Sequence, residues 1–310
     1  MKLAAIDIGS NSIKLVVVAA ETSTSFTVVA SEREVVRLGQ ETLVKKHIGD
    51  EAMRRALDCL TRFHSLANEH GAEQIVAIAT ASVREANNAD EFLRRVEEKT
   101  GLRVEVLSGI EEARLIGLAA SQGCTPTGST SLNIDIGGGS TEISIFRAAE
   151  PVMLRSIQLG AVGLTDRFIR SDPPQANELN DLRSEIQALL AGPASELRKE
   201  TWNYVTATSG TAVTIGAALS HIMPPATTVI SLADLKQLNA MLAAQTIAER
   251  RKAVSLAPQR ADIIVAGGLV LEEVMNALGI AAVNTCDWSL REGVIIDRLR
   301  NFDRLRQSTQ

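Results

Sequence analysis

Apolar positions along the 310-residue chain follow two periods in turn. Residues 3–8 (LAAIDI) form an apolar run, residues 9–12 a small polar turn, and residues 13–20 and 26–36 two further runs separated by Ser and Thr. This pattern predicts a meander of strands joined by short loops. Residues 50–69 then place Met53, Ala56, Leu57, Leu60 and Phe63 on one face, and Gly71 follows, which predicts a helix and its stop. Residues 75–79 read as a short buried strand, Asn88 or Asp90 as the cap of a helix to Lys99, residues 104–107 as a strand, and Ser108 as the cap of a helix over about 110–121. After the Gly-, Ser- and Thr-rich stretch 122–131 the pattern restarts. Strands are expected at 131–136, 141–147, 152–158, 204–208 and 283–286, with helices near 175–192, 211–220, 232–244, 259–278 and 288–306. Strands alternating with helices predict the α/β class. The restart predicts two domains, 1–124 and 125–310, hinged near 122–131, with the last helix crossing back to the first domain.

Composition removes several classes. The longest apolar run, Ile263–Leu271, contains two glycines and falls far short of the roughly 18–20 residues of a membrane span, so no membrane partner is expected. Asp7 inside the N-terminal run makes that run a poor signal peptide. The three cysteines, Cys59, Cys124 and Cys286, show no CxxC pairing and read as reduced thiols in a cytoplasmic protein. The four histidines lack ligand spacing, which argues against zinc. A net charge of -5 and 3% aromatic residues argue against a duplex nucleic-acid binder or a base-stacking platform, but leave room for a local basic pocket that takes a polyanion.

The main signal is an internal repeat. Asp7-Ile-Gly-Ser-Asn-Ser-Ile-Lys-Leu15 and Asp135-Ile-Gly-Gly-Gly-Ser-Thr-Glu-Ile143 share Asp, Ile, Gly and Ser at one constant offset, and each opens the first hairpin of a meander. Such a hairpin carries an Asp to the end of an apolar strand. Its glycines permit a tight turn and a close approach of backbone to ligand. Successive backbone amides in that turn form an anion nest, to which Ser12 and Ser140 add hydroxyls. Asp7 and Asp135 are suited to a divalent cation. Two such hairpins facing each other would grip a chain of phosphates from both sides; the plainer alternative is a pair of ordinary turns.

Further candidates lie where strands give way to helices. Ser209 and Gly210 follow the strand ending at Thr208, and Gly267 and Gly268 follow the strand-like or buried Ile263–Ala266. Both junctions could seat a nucleotide or phosphate on a helix N-terminus, against the alternatives of a plain cap and of close helix packing. Arg84 stands among small hydroxyl residues and could be a bidentate phosphate ligand. Glu111 and Glu112 share the first turn of a helix, where adjacent residues cannot face the same way, so at most one points into a cleft. A carboxylate there could take a proton from water.

The chain resembles the exopolyphosphatase / guanosine pentaphosphate phosphohydrolase (Ppx/GppA) family of the actin-like, sugar kinase and Hsp70 ATPase superfamily. The strings DIGSNSIKL, ATASVREANNADEF, EVLSGIEEARLIG, NIDIGGGSTE, SIQLGAVGLTDRF, ATSGTA, ADIIVAGG and SLREG carry the resemblance in that order across nearly the whole length. It implies two actin-like, ribonuclease H-like domains with mixed sheets flanked by helices and the active site in the cleft between them. It implies Mg²⁺-dependent hydrolysis of the terminal phosphoanhydride of polyphosphate or guanosine pentaphosphate, the latter linked to the stringent response, by a cytoplasmic homodimer. Carried over by motif, Glu112 would activate the attacking water, and Asp135 and Glu142 would organise metal and water, with Asp7 a second metal-side acid. Gly9, Ser10, Asn11, Ser12, Gly137, Gly138, Gly139, Ser140 and Thr141 would hold phosphate, together with Arg84. Many members have Arg or Lys where this chain has Gly163, and long members continue into helical domains that extend the polyphosphate surface. Preference for shorter chains is therefore expected. Two other functions fit the same fold: an alarmone or nucleotide sensor without catalysis, and a small-molecule kinase.

Overall fold

The computed structural model describes residues 1–22, 25–222, 228–252 and 256–308. In the first part of the chain β1 (Lys2–Ile8), β2 (Ser12–Ala20) and β3 (Phe26–Val35) form an antiparallel meander. The short α1 (Thr42–Lys45) and the long α2 (Asp50–Glu69) follow, then β4 (Gln74–Ala79), α3 (Ala81–Arg84), α4 (Ala89–Thr100), β5 (Val104–Val106) and α5 (Gly109–Gly123). β4 and β5 run parallel to β1, giving a sheet of order β3-β2-β1-β4-β5.

The second part repeats this plan. β6 (Thr130–Ile136), β7 (Thr141–Arg147) and β8 (Glu150–Ile157) form a meander, followed by α6 (Ala161–Phe168), α7 (Ala176–Leu197), β9 (Tyr204–Thr208), α8 (Ser209–Ile222), β10 (Val229–Ser231), α9 (Leu232–Ala243) and α10 (Ile247–Lys252). A 3-10 turn, Pro258–Arg260, leads into α11 (Ile264–Leu278), β11 (Ala282–Thr285) and α12 (Leu290–Ser308). This sheet has the order β10-β11-β9-β6-β7-β8, with β9 and β11 parallel to β6. Both sheets thus share a three-strand meander whose first strand takes a parallel strand on its other edge. That is the ribonuclease H-like topology, and two copies about a cleft give the actin-like arrangement expected above.

β1 shows why the central strands read as unbroken apolar runs. It is covered on both faces, and strand periodicity sends its side chains alternately to each. Ala4, Ile6 and Ile8 join the core beneath α2 with Met53, Ala56, Leu60 and Phe63, while Leu3 and Ala5 join Leu290, Val294, Ile295 and Leu299 of α12. The last helix therefore packs on the first sheet, although its sequence neighbours lie in the second.

One sequence expectation narrows and another changes. Of the two readings of Ile263–Ala266 the buried one holds and the strand does not: from Ile264 onward it is the first turn of α11, within the helix expected near 259–278. Nor are all the cysteines free thiols. Cys124 and Cys286 form a disulfide across 162 residues of sequence, and Cys59 alone is free and buried. The fold causes this pairing by placing the C-terminus of α5 beside the entry to α12, a juxtaposition that no local spacing encodes. Among the described residues no helix is long and apolar enough to cross a membrane.

Candidate active site in the cleft

The two repeated hairpins meet. In each, the amide of the first glycine donates to the carbonyl of the serine that closes the turn, Gly9 to Ser12 at 3.2 Å and Gly137 to Ser140 at 2.9 Å. The amides at the start of α6 donate to the second loop from outside, Ala161 to the Gly137 carbonyl and Val162 to that of Gly138, and so pin it. The loops abut so closely that a Cβ on Gly138 would fall 2.7 Å from Ser10 Cβ, and one on Gly139 2.6 Å from Ala81 Cβ. Only glycine permits this approach. Between the loops lies a cavity of about 70 Å³, lined among others by Asp7, Ser10, Lys14, Glu112, Asp135 and Arg260. At the density of the liquid that is room for about two waters.

Helix periodicity separates the paired glutamates. Ser108 caps α5 by accepting from the Glu111 amide at 3.2 Å. Glu111 turns outward to Arg114, at 2.6 Å, while Glu112 faces the cavity and is buried. Burial pushes the Glu112 carboxyl up to about 7; Arg84 opposes the rise, and Asp7 and Asp135 add to it. Arg84 donates to Glu112 Oε2 at 3.1 Å and to the Leu107 carbonyl at 2.8 Å, so it fixes the orientation of that carboxylate.

Asp135 ends β6 and is held by two hydroxyls, Thr208 at 2.6 Å and Ser289 at 3.0 Å, both on Oδ2. Burial raises its pKa, and the hydroxyls and Lys14 oppose the rise. Glu142 lies on β7 directly opposite Asp135 in the ladder and is deeply buried. Its Oε1 accepts from Ser156 at 2.7 Å, while Oε2 is buried without a hydrogen-bond partner. Burial raises its pKa far above the usual carboxylate range, and Glu112 and Asp135 add repulsion. Asp7 is paired with Lys14 at 3.5 Å. Among the described residues no three His, Cys, Asp or Glu side chains are arranged to hold a metal ion by themselves, so the expected set of Asp7, Asp135 and Glu142 does not form a cage. Lys14 engages the first and Ser156 the last. The orphaned oxygen and the crowded carboxylates nevertheless fit a site that gains a divalent cation together with phosphate oxygens, the usual way Mg²⁺ is held.

Most of the other expected residues also gather here. Gly9, Ser10, Asn11, Ser12, Gly137, Gly138, Gly139 and Ser140 line the cavity, as do Ser209 and Gly210 at the start of α8. Three do not. Thr141 is buried with its hydroxyl donating to the Leu159 carbonyl. Gly267 and Gly268 lie inside α11, pressed against Thr211 and Asn239.

Several residues were missed. Arg260 enters the cavity against Gly210, with its Nε unpartnered. Burial, with Arg33's charge adding, lowers its guanidinium to about 9, so it remains a cation at neutral pH. Lys14 and Ser289 also line the site. Lys14 was legible as the residue opposite Asp7 in the hairpin, and Ser289 opens the SLREG string; Arg260 stands just before ADIIVAGG and carried no signal of its own. Next to Gly139, a second cavity of about 300 Å³ is lined by Leu43, Lys46, Gly163 and Arg167, so basic groups stand near position 163 despite its glycine. They are paired, Lys46 with Glu85 at 2.9 Å and Arg167 with Glu185 at 2.7 Å.

A sequence profile described as the Ppx/GppA phosphatase family matches residues 17–302. The chain belongs to the Ppx/GppA phosphatase family. Exopolyphosphatase 1 of Mycobacterium leprae is 34% identical over 304 residues, which cover 96% of this chain and 90% of that one. The crystal structure of an exopolyphosphatase from Cytophaga hutchinsonii superimposes with a TM-score of 0.90 at 27% identity, covering 97% of this chain and 98% of that one. The Ppx/GppA family member of Aquifex aeolicus gives a TM-score of 0.78 at 26% identity, again with 97% and 98% coverage. The Ppx/GppA strings are thus the ones that converge on the cavity.

Proposed function

We propose that this protein is an exophosphatase that removes the terminal phosphoryl group of inorganic polyphosphate, with guanosine pentaphosphate as a second substrate of the same chemistry. The observation that carries the reading is Glu112: a buried carboxylate with a pKa raised to about 7, facing a cavity between two glycine-rich turns. At neutral pH such a group is poised to take a proton from water. Arg84 holds it in place, and Lys14 and Arg260 offer positive charge to the phosphate chain. Phosphoryl transfer needs alignment and charge neutralisation more than a covalent nucleophile, and the cavity offers these. Names of relatives also support polyphosphate as substrate.

Asp7 and Asp135 would hold Mg²⁺, with Glu142 behind them. When bound, the ion supplies neutralisation of phosphate charge. Closure of residues 1–124 against 125–310 would exclude bulk water. The reading carries with it a cytoplasmic homodimer.

The test is phosphate release from polyphosphate and from guanosine pentaphosphate, with Mg²⁺ and with chelator. Release from polyphosphate that chelator abolishes is expected. Release from neither substrate, with tight binding of guanosine tetraphosphate, would replace the phosphatase with a sensor.

A further inference from the structure

Two stretches of chain join the two halves. Residues 124–129 connect α5 to β6, and residues 286–289 connect β11 to α12, which returns to the first sheet. Cys124 stands in one crossing and Cys286 in the other, and the disulfide between them, with Cα atoms 5.9 Å apart, ties crossing to crossing. The surroundings are built rather than loose. The Trp288 ring lies against Gly123, where a Cβ would fall 2.3 Å from the indole, and stacks on Phe26 at 5.3 Å. The Cys286 amide donates to the Ala207 carbonyl at 3.0 Å. Three residues on, Ser289 reaches Asp135. The bond is therefore continuous with a loop that touches the cavity.

That cavity is narrow: with about 70 Å³ between the abutting loops it is too small for a chain of several phosphates. Arg37 paired with Asp262, and the Glu41 amide donating to Asp166 at 2.9 Å, form one cluster that bridges the two halves. Loading a substrate requires rotation of the halves, and rotation must be absorbed where the chain crosses between them. A covalent link between both crossings restricts it.

We propose that Cys124 and Cys286 are a reversible redox clamp on this hinge: the disulfide limits opening of the cleft, and reduction by a dithiol releases it. The clamp rests on reading the cleft as the phosphate site. Cys124 is partly exposed and Cys286 is buried at 2%, so the Cys124 sulfur is the point of attack. A dithiol's thiolate attacks Cys124 Sγ, the S–S bond breaks, and Cys286 leaves as a thiolate that takes a proton. The second thiol of the reductant then attacks the mixed disulfide, freeing Cys124 and leaving the reductant as a cyclic disulfide, two electrons poorer. In a reducing compartment such a bond is transient, which suits a regulatory role.

The test compares the full chain oxidised with oxidised glutathione, the same chain reduced with dithiothreitol, and the double variant Cys124→Ser/Cys286→Ser. Alkylation after unfolding should find one thiol in the oxidised protein and three in the reduced. Reduction should increase the radius of gyration of the substrate-free protein in X-ray scattering and raise kcat/KM on polyphosphate by about threefold or more, as expected where opening gates substrate entry. The double variant should match the reduced protein with or without dithiothreitol. Three reactive thiols after oxidation, identical scattering in both states, or a lower kcat/KM on reduction would each overturn the clamp. A scattering change without hydrolysis in any state would support the clamp and overturn the phosphatase reading.

Discussion

The two hairpins that face each other across the cleft are the same device with opposite chemistry. Both end an apolar strand in Asp, and both close the turn with a glycine amide on a serine carbonyl. They differ in the residue opposite the Asp in the strand ladder, which is Lys14 for Asp7 and Glu142 for Asp135. The first hairpin thereby contains its own counter-charge, an ion pair at 3.5 Å. The second buries two carboxylates side by side, with Glu112 adding a third and Glu142 Oε2 unpartnered. The turn is shared; the difference at one ladder position leaves one side charge-balanced, with a lysine at the cavity, and makes the other a site of concentrated negative charge. One side suits a phosphate chain, and the other suits a cation and an activated water.

The sharpest way to break this asymmetry is to write the first hairpin's chemistry into the second. Glu142→Lys should lower kcat by about 10³, the order lost with a preorganised electrostatic group. Thermal melting would show whether the variant stays folded, and Glu142→Gln, which keeps the shape, should still lose most activity. The converse change, Lys14→Met, removes positive charge from the first side. It should raise KM for polyphosphate about tenfold with a smaller change in kcat, as for a lost charge-assisted contact of about 1.5 kcal/mol.

Stability should move the other way. Glu112 has its carboxyl raised from an ordinary 4.5 to about 7, so between those values the folded state holds a proton the unfolded chain has lost. Its contribution is complete below about pH 4.5 and is lost as the pH climbs through about 7. Glu112→Gln cannot ionise, so it should be more stable than the wild type at pH 8, by about 1–3 kcal/mol, with little difference at pH 4.5. Denaturant melts at the two pH values would check this. The smallest effect is expected at Gly163, where a Cβ would meet Leu43 only at ordinary contact distance, 3.4 Å. Gly163→Arg should lower KM for long polyphosphate by about two- to threefold, the reach of one exposed charge, with kcat unchanged.

What was legible in the sequence was what lies close together in it. The hairpin motifs exposed Asp7, Asp135 and their turns; helix periodicity allowed only one of Glu111 and Glu112 to face the cleft, and the family resemblance chose Glu112. The meanders anticipated the antiparallel triplets β1–β3 and β6–β8, but not where the parallel strands would join them. What escaped depends on contacts across the chain. Ser289 meets Asp135 over 154 residues, Cys124 meets Cys286 over 162, and Arg260 matters only because Gly210 makes room for it. Among local elements, α6 is short and hidden by its glycine, β10 has three residues, and the β-branched start of α11 imitates a strand. Gly267 and Gly268 resembled a phosphate-binding junction because glycine serves helix packing and ligand approach equally well.

The central claim is that an ionised Glu112 activates water in the cleft. Its most direct test is the pH dependence of kcat/KM for phosphate release from polyphosphate, measured for the wild type and for Glu112→Gln. The wild type should gain about tenfold per pH unit below its raised pKa and level off above about 7, while Glu112→Gln should be flat and lower by about 10² or more. A variant that keeps the wild-type rate, or loses rate but keeps the same pH profile, would contradict the account.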